Sequence, residues 1–219
     1  MMANPYKKTE VWRSNISKGL LANRIFVRGE ELAYLVGVYI GDGNIIRQGQ
    51  GRRNYFRAKV KSLAFASSIH YALRSVIGYA RIRQDKYGYY EVRGYSRELV
   101  EYLAFWRENP LMAYEHVEDH LCKHYPYVFI RGFYESEGSL LVKRHINHYH
   151  RTLRMVNTDT RKITAVERAL QSIGFKTTVF PSQDKRSNRK TMHILIVLGG
   201  MEELQRFFTV INPCIKGWR

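Results

Sequence analysis

Leu35-Val36-Gly37-Val38-Tyr39-Ile40-Gly41-Asp42-Gly43 and Ile130-Arg131-Gly132-Phe133-Tyr134-Glu135-Ser136-Glu137-Gly138 are two copies of one pattern. Each is an apolar frame with a small residue at the third and seventh positions, an acid at the eighth and Gly at the ninth. The downstream segments repeat as well. A helix-like stretch ends at Ile77-Gly78-Tyr79 in one copy and at Ile173-Gly174-Phe175 in the other, 36 positions after Asp42 and 37 after Glu137. Self-similarity at matching offsets is the mark of a duplicated supersecondary unit.

Outward from these stretches, each copy reads as helix, two strands, helix, two strands, helix. In the second copy Ser139–Ile146 is extended, a loop His148-Tyr149-His150 turns the chain, and Thr152–Asn157 returns. Ile163, Val166, Leu170 and Ile173 recur at helical spacing, with Gly174 as the residue past the helix end. Lys176–Phe180 and Met192–Leu198 read as strands around a polar loop Ser182–Lys190, and Glu202–Val210 closes the copy as a helix. The first copy has the same order: strands near Asn44–Gln48 and Tyr55–Lys61, a helix near Phe65–Ile77, strands near Tyr79–Gln84 and Tyr89–Gly94, a helix at Arg97–Trp106. The expected organisation is an N-terminal extension at 1–30, a first half at 31–106, a Pro110-containing linker at 107–125 and a second half at 126–219. The fold class is α+β, two pseudo-symmetric αββαββα halves.

Gly37 and Gly41 lie on one face of a helix, as do Gly132 and Ser136, so the two helices can approach closely. Each then delivers a carboxylate at its C-terminal end, against the negative end of the helix dipole, at a cost of about 0.3–1 kcal/mol. Two such acids brought together call for a cation, and a divalent metal with oxygen ligands resolves the conflict. One acid per half at a pseudo-twofold axis suits metal-assisted cleavage of two phosphodiesters, one on each strand of a duplex. A single Gly-Asp-Gly is ordinarily a turn; the duplicated frame is what argues for more.

The charge names the same partner. Lys and Arg number 36 against 19 Asp and Glu, a formal +17, and the sequence pI is near 10.0. Residues 1–120 carry +7 and residues 121–219 carry +10, so the excess is spread over the chain. A folded chain of this charge points to a polyanion, nucleic acid above all. Hydrophobic content of 45% excludes a disordered basic tail. The longest apolar runs, Leu32–Ile40 and Ile194–Leu198, fall short of the roughly 18 residues of a membrane span, so no membrane partner is expected. Two cysteines and an N-terminus without an apolar signal core lead to an intracellular, cytoplasmic expectation.

Both motifs resemble the signature of the LAGLIDADG homing endonucleases, of the single-chain, two-motif, intron-encoded and archaeal-like type, over roughly residues 31 to 212. Motif two departs in Arg131 and in Glu137 for Asp, which keeps the carboxylate. The resemblance implies a saddle of two antiparallel four-stranded sheets on DNA and a metal-dependent double-strand cut in a long target, leaving short 3′ overhangs. It implies a monomer that uses Mg²⁺, with Mn²⁺ as substitute and Ca²⁺ supporting binding without cleavage. The metal set is read as Asp42 with Gly41 and Glu137 with Ser136. The family places a basic residue near each acid; Lys61 or Lys59 is the candidate in the first half and Lys143 in the second, with Asn157 near the centre.

The strands carry residue types that pair with base edges in the major groove. In the first half these are Arg47, Gln48, Arg57, Lys59, Arg81, Arg83, Tyr89 and Arg93; in the second Lys143, His145, Arg154, Lys176, Thr178 and Gln183. Arg52, Arg53, Lys185, Arg186, Arg189 and Lys190 read as phosphate contacts from loops. His145, His148 and His150 lack a nearby Cys pair and read as loop or DNA-contacting residues, not a zinc site. Phe105, Phe133 and Phe207 read as core. The C-terminus Ile-Lys-Gly-Trp-Arg lacks the His-Asn ending of an intein, so a free-standing intron product is expected. The rival readings are an RNA maturase, with intron RNA as partner, or a DNA-binding regulator on the same scaffold.

Overall fold

The computed structural model describes residues 29–47, 54–108, 110–111, 114, 121–144, 149–183 and 191–215. The first repeat runs α1 (Gly29–Ile40), β1 (Asn44–Ile46), β2 (Tyr55–Val60), α2 (Leu63–Ile77), β3 (Arg81–Gln84), β4 (Tyr90–Tyr95) and α3 (Arg97–Glu108). A short helix α4 (Leu121–His124) leads into the second: α5 (Pro126–Glu137), β5 (Gly138–Arg144), β6 (Tyr149–Asn157), α6 (Thr160–Ser172), β7 (Thr177–Gln183), β8 (Thr191–Val197) and α7 (Gly200–Ile211). Each repeat folds into an antiparallel four-stranded sheet, ordered β1-β2-β4-β3 and β5-β6-β8-β7, so the αββαββα order is present twice. No helix among the described residues is long and apolar enough to cross a membrane.

Local chemistry sets the element ends. Ser62 caps α2, accepting from the Phe65 N–H (3.3 Å), and Gly78 stops it at φ +78° with its N–H on the Arg74 carbonyl. Asp159 caps α6 through the Arg161 N–H. Past its end, Gly174 at φ +82° donates to the Gln171 carbonyl and Phe175 to the Leu170 carbonyl, the paired bonds of a Schellman stop.

Helices cover one face of each sheet. Phe56, Ala58 and Val60 of β2 alternate inward with Arg57 and Lys59 outward, and Leu153, Met155, Leu195 and Val197 do the same in the second sheet. Phe133 and Phe207 are fully buried, and Phe105 packs on the core from its edge. Two strands are longer than their apolar runs suggested. Tyr149 and His150 belong to β6, and Ser182 and Gln183 to β7, because backbone pairing with β5 and β8 continues past the last core residue. Conversely Tyr79 and Ala80 precede β3.

Candidate active site

The motif helices α1 and α5 meet backbone to backbone. A Cβ on Gly37 would fall on the Phe129 carbonyl, and one on Gly132 on the Tyr34 carbonyl, a reciprocal contact across the pseudo-twofold axis. One turn later a Cβ on Gly41 would lie 2.5 Å from Ser136 Cβ and 3.3 Å from Glu137 Cγ. The Glu137 side chain therefore sits against the backbone that immediately precedes Asp42. Asp42 is exposed in the turn after α1; Glu137 is half-buried at the last position of α5 and accepts a hydrogen bond from Asn157 Nδ2 at 2.9 Å. Two carboxylates at adjoining helix ends, beside carbonyls that no further helical turn satisfies, form a hard-oxygen donor set that fits a divalent cation completed by water and phosphate oxygens. Among the described residues no three His, Cys, Asp or Glu cluster as an all-protein metal cage; His145 and His148 lie outside those residues.

The basic candidates divide. Asn44, two residues after Asp42, pairs with Arg57, and Lys59 and Lys61 follow along β2 and just past its end. Both ammonium groups lie over the Tyr89 ring, at 5.0 and 5.3 Å from its centroid, and Lys59 also pairs with Asp85 at 2.7 Å. Lys143 is not brought to the centre. It lies five residues beyond Gly138, about 17 Å along β5 at ~3.3 Å per residue, on an outer, exposed part of the strand. Counted from the helix caps Ser62 and Asp159, the second half has Thr158 where the first has Lys61, and Asn157 where the first has buried Val60. Asn157 thus points to the carboxylate instead of the outer sheet face.

On that outer face the first sheet assembles its cations in rows. Arg57, Arg93 and Arg81 are cross-strand partners, and Lys59, Glu91 and Arg83 form the next row. Glu91 pairs with Arg57 at 3.3 Å and with Arg93 at 2.5 Å. Arg47 lies exposed just beyond β1. In the second sheet Arg154 donates to Ser139 Oγ at 3.0 Å, Thr178 shares its row, and Lys176 is exposed ahead of β7. Gln183 has the parity of Val179, on the helix side of β7, so it does not join the outer face. Gln48, Arg52, Arg53, His145, Lys185, Arg186, Arg189 and Lys190 lie outside the described residues.

Behind the site lies a buried network that spacing did not reveal. Glu135, 1% exposed, accepts from Tyr34 Oη (2.6 Å), Arg131 Nε (3.1 Å) and the Cys214 N–H (2.6 Å). Burial, and then the charge of Glu135, raise the Tyr34 phenol far above the usual tyrosine range. Arg131 and Glu135 are a local i,i+4 pair, but no local signal brings in Tyr34 and Cys214, which are 101 and 79 positions from Glu135.

Residues 126–212 match a family model described as a LAGLIDADG-like domain. An uncharacterized protein of Methanocaldococcus jannaschii is 32% identical over 113 residues, 49% of this chain and 38% of that protein. A second from the same organism is 24% identical over 163 residues, 72% of this chain and 59% of that protein, so the chain spans less than two thirds of either relative. The structure of I-DmoI in complex with DNA and Mn superposes with a TM-score of 0.59 at 21% identity, over 84% of this chain and 96% of that one. Residues 126–212 thus resemble a LAGLIDADG-like domain, within a chain that shares the two-sheet fold of I-DmoI.

Proposed function

We propose that the chain is a site-specific DNA endonuclease that makes a metal-dependent double-strand cut and leaves short 3′ overhangs. The observation that carries this reading is the side-by-side delivery of Asp42 and Glu137 by two helices whose backbones touch, with a four-stranded sheet on each side. The DNA and Mn of the I-DmoI complex support it from a protein of the same fold.

Asp42 and Glu137, with the carbonyl oxygens of Gly41 and Ser136, would hold the divalent ions, Mg²⁺ in the working enzyme. When bound, such an ion supplies the positive charge that activates water and stabilises the leaving 3′ oxygen. The chain's own part is positional. Asn157 Nδ2 fixes the Glu137 carboxylate, and the glycine contact fixes the distance between the two helix ends. Lys61, just past the end of β2, would hold the proton-bearing water or the developing charge in the first half. In each cut a water oxygen bonds to phosphorus and the P–O3′ bond breaks, giving a 5′ phosphate and a 3′ hydroxyl. Since one chain supplies both acids, a monomer is the working unit.

The test selects binders from a randomised duplex library with the full-length chain in Ca²⁺, then assays the selected duplex for cutting in Mg²⁺. Double-strand cuts that disappear in Asp42→Asn and in Glu137→Gln, with duplex binding kept, are the expected result. Binding without cuts in Mg²⁺ or Mn²⁺ would replace this reading by a DNA-binding regulator. Tight binding of a structured intron RNA with no duplex selected would replace it by a maturase.

A further inference from the structure

Beside the motif-one turn a cleft opens between the two halves, lined by Tyr39, Ile40, Gly43, Asn44, Arg107 and Lys162. Its cations come from different halves, Arg107 from the last turn of α3 and Lys162 from the first turn of α6. Arg161 joins the two elements, its Nη1 donating to the Glu108 carbonyl at 3.1 Å. Tyr39 is 3% exposed, and its hydroxyl is buried with no hydrogen bond of good geometry; the Arg107 guanidinium is its charged neighbour.

The other half shows what the fold otherwise puts here. Phe65 stands three residues after the cap of α2, as Lys162 does after the cap of α6, and Val210 stands in α7 where Arg107 stands in α3. Phe65 is 2% exposed. Tyr134, the counterpart of Tyr39, is covered by Phe207 and Phe208 at centroid distances of 5.1 and 6.0 Å. In one copy Phe65 is buried and Phe207 and Phe208 cover Tyr134, although Val210 is 38% exposed; in the other a cleft is lined by two cations.

Lys162 is half-buried and Arg107 is exposed at the rim, and an anion between them offsets their mutual repulsion. Burial holds the Lys162 ammonium below the usual lysine range, against the opposing pull of Asp159 and Glu137. Both of those carboxylates are already engaged, Asp159 by Arg161 through both oxygens and Glu137 by Asn157. The cleft offers an oxyanion a planar guanidinium and an ammonium.

We infer that this cleft is a phosphate site, taking one backbone phosphate of the DNA strand that lies against motif one, between Arg107 and Lys162. The inference rests on the endonuclease reading and adds a contact made from one side of the axis only. It gives the two strands unequal holds at the centre.

The experiment uses the full-length chain, the selected duplex and Ca²⁺. The variant Lys162→Phe/Arg107→Val copies the other half, and Arg74→Gln/Arg168→Gln removes the same charge from helices elsewhere. The copying variant is expected to fold with a thermal midpoint no lower than wild type. It binds the duplex roughly tenfold more weakly, with a log K against log salt slope shallower by about 0.9, one phosphate's worth. A methylphosphonate walked along each strand weakens wild type at one position beside the cut and leaves the variant indifferent there. Equal binding and equal slope in wild type and variant overturn the inference while leaving the endonuclease reading intact. The same holds if the control loses as much as the variant. Inorganic phosphate that raises the midpoint of wild type alone, with duplex binding unchanged by the substitutions, would assign the cleft to a free anion instead. A wild type that binds no duplex sinks the functional reading and this inference together.

Discussion

At Gly132 the missing side chain is what lets α5 lie on α1, since a Cβ there would fall on the Tyr34 carbonyl with Val38 N only 2.9 Å away. Backbone cannot give way as a side chain can, so Gly132→Ala must push the helices apart. We expect it to lower stability by about 3 kcal/mol, the upper part of the overpacking range, read as a fall in the urea midpoint at unchanged m. A loss under ~0.5 kcal/mol would mean that the helices are not in contact here. Glu135 tests the second layer. Glu135→Ala leaves the Tyr34 hydroxyl, the Arg131 guanidinium and the Cys214 N–H without their acceptor, and should cost about 3–5 kcal/mol. Glu135→Gln keeps the shape and one acceptor oxygen and should cost less; equal losses would refute the charge-based account. The small residues were legible in the sequence because their spacing is periodic. Arg131 looked like a departure from the motif because its partner Glu135 has meaning only once Tyr34 and Cys214 converge on it.

The elements carry a second asymmetry, in what the two sheets present outward. The first shows Arg57, Arg93 and Arg81 in one row. The second shows Ser139, Arg154, Ile196 and Thr178 in one row and Val156, Ile194 and Phe180 in the next, with Phe180 39% exposed. Arginine pairs with guanine O6 and N7, whereas aliphatic and aromatic side chains meet the thymine methyl. The half-site under β5–β8 should accordingly be richer in A·T than the half-site under β1–β4. Base frequencies in the selected duplexes check this, and Arg81→Ala, which should relax only the first half-site, fixes the orientation. Equal G·C content in the two halves would rule it out. Element order and topology were readable because helix stops and strand alternation are local. Strand ends were not, since β6 and β7 extend by pairing with neighbours and not by their own apolar pattern. Lys143 and Gln183 show the same limit: the residue type was right for the chemistry, but distance along the strand and parity decide where a side chain can act.

Over the whole molecule the net charge of +17 divides as +7 and +10 between residues 1–120 and 121–219. Such a division has a thermodynamic consequence that a single basic patch would not have. Each phosphate neutralised releases counterions, so log K falls linearly with log salt at about −0.9 per contact on duplex DNA. If both sheets track the backbone, the contacts are shared between two half-sites. A duplex cut down to either half-site should then keep roughly half of the full slope, while its affinity falls by much more than half in free energy because tethering of the second sheet is lost. The measurement is a salt titration of binding in Ca²⁺ with the full duplex and with each half alone. A slope carried entirely by one half-site would show that charge on the other half serves something other than DNA. A flat slope on the full duplex would remove the cationic sheets from the binding surface altogether. Because the glycine contact holds α1 directly against α5, Gly132→Ala should loosen the coupling of the two halves. Its slope on the full duplex should move toward the half-site value before its fold is lost.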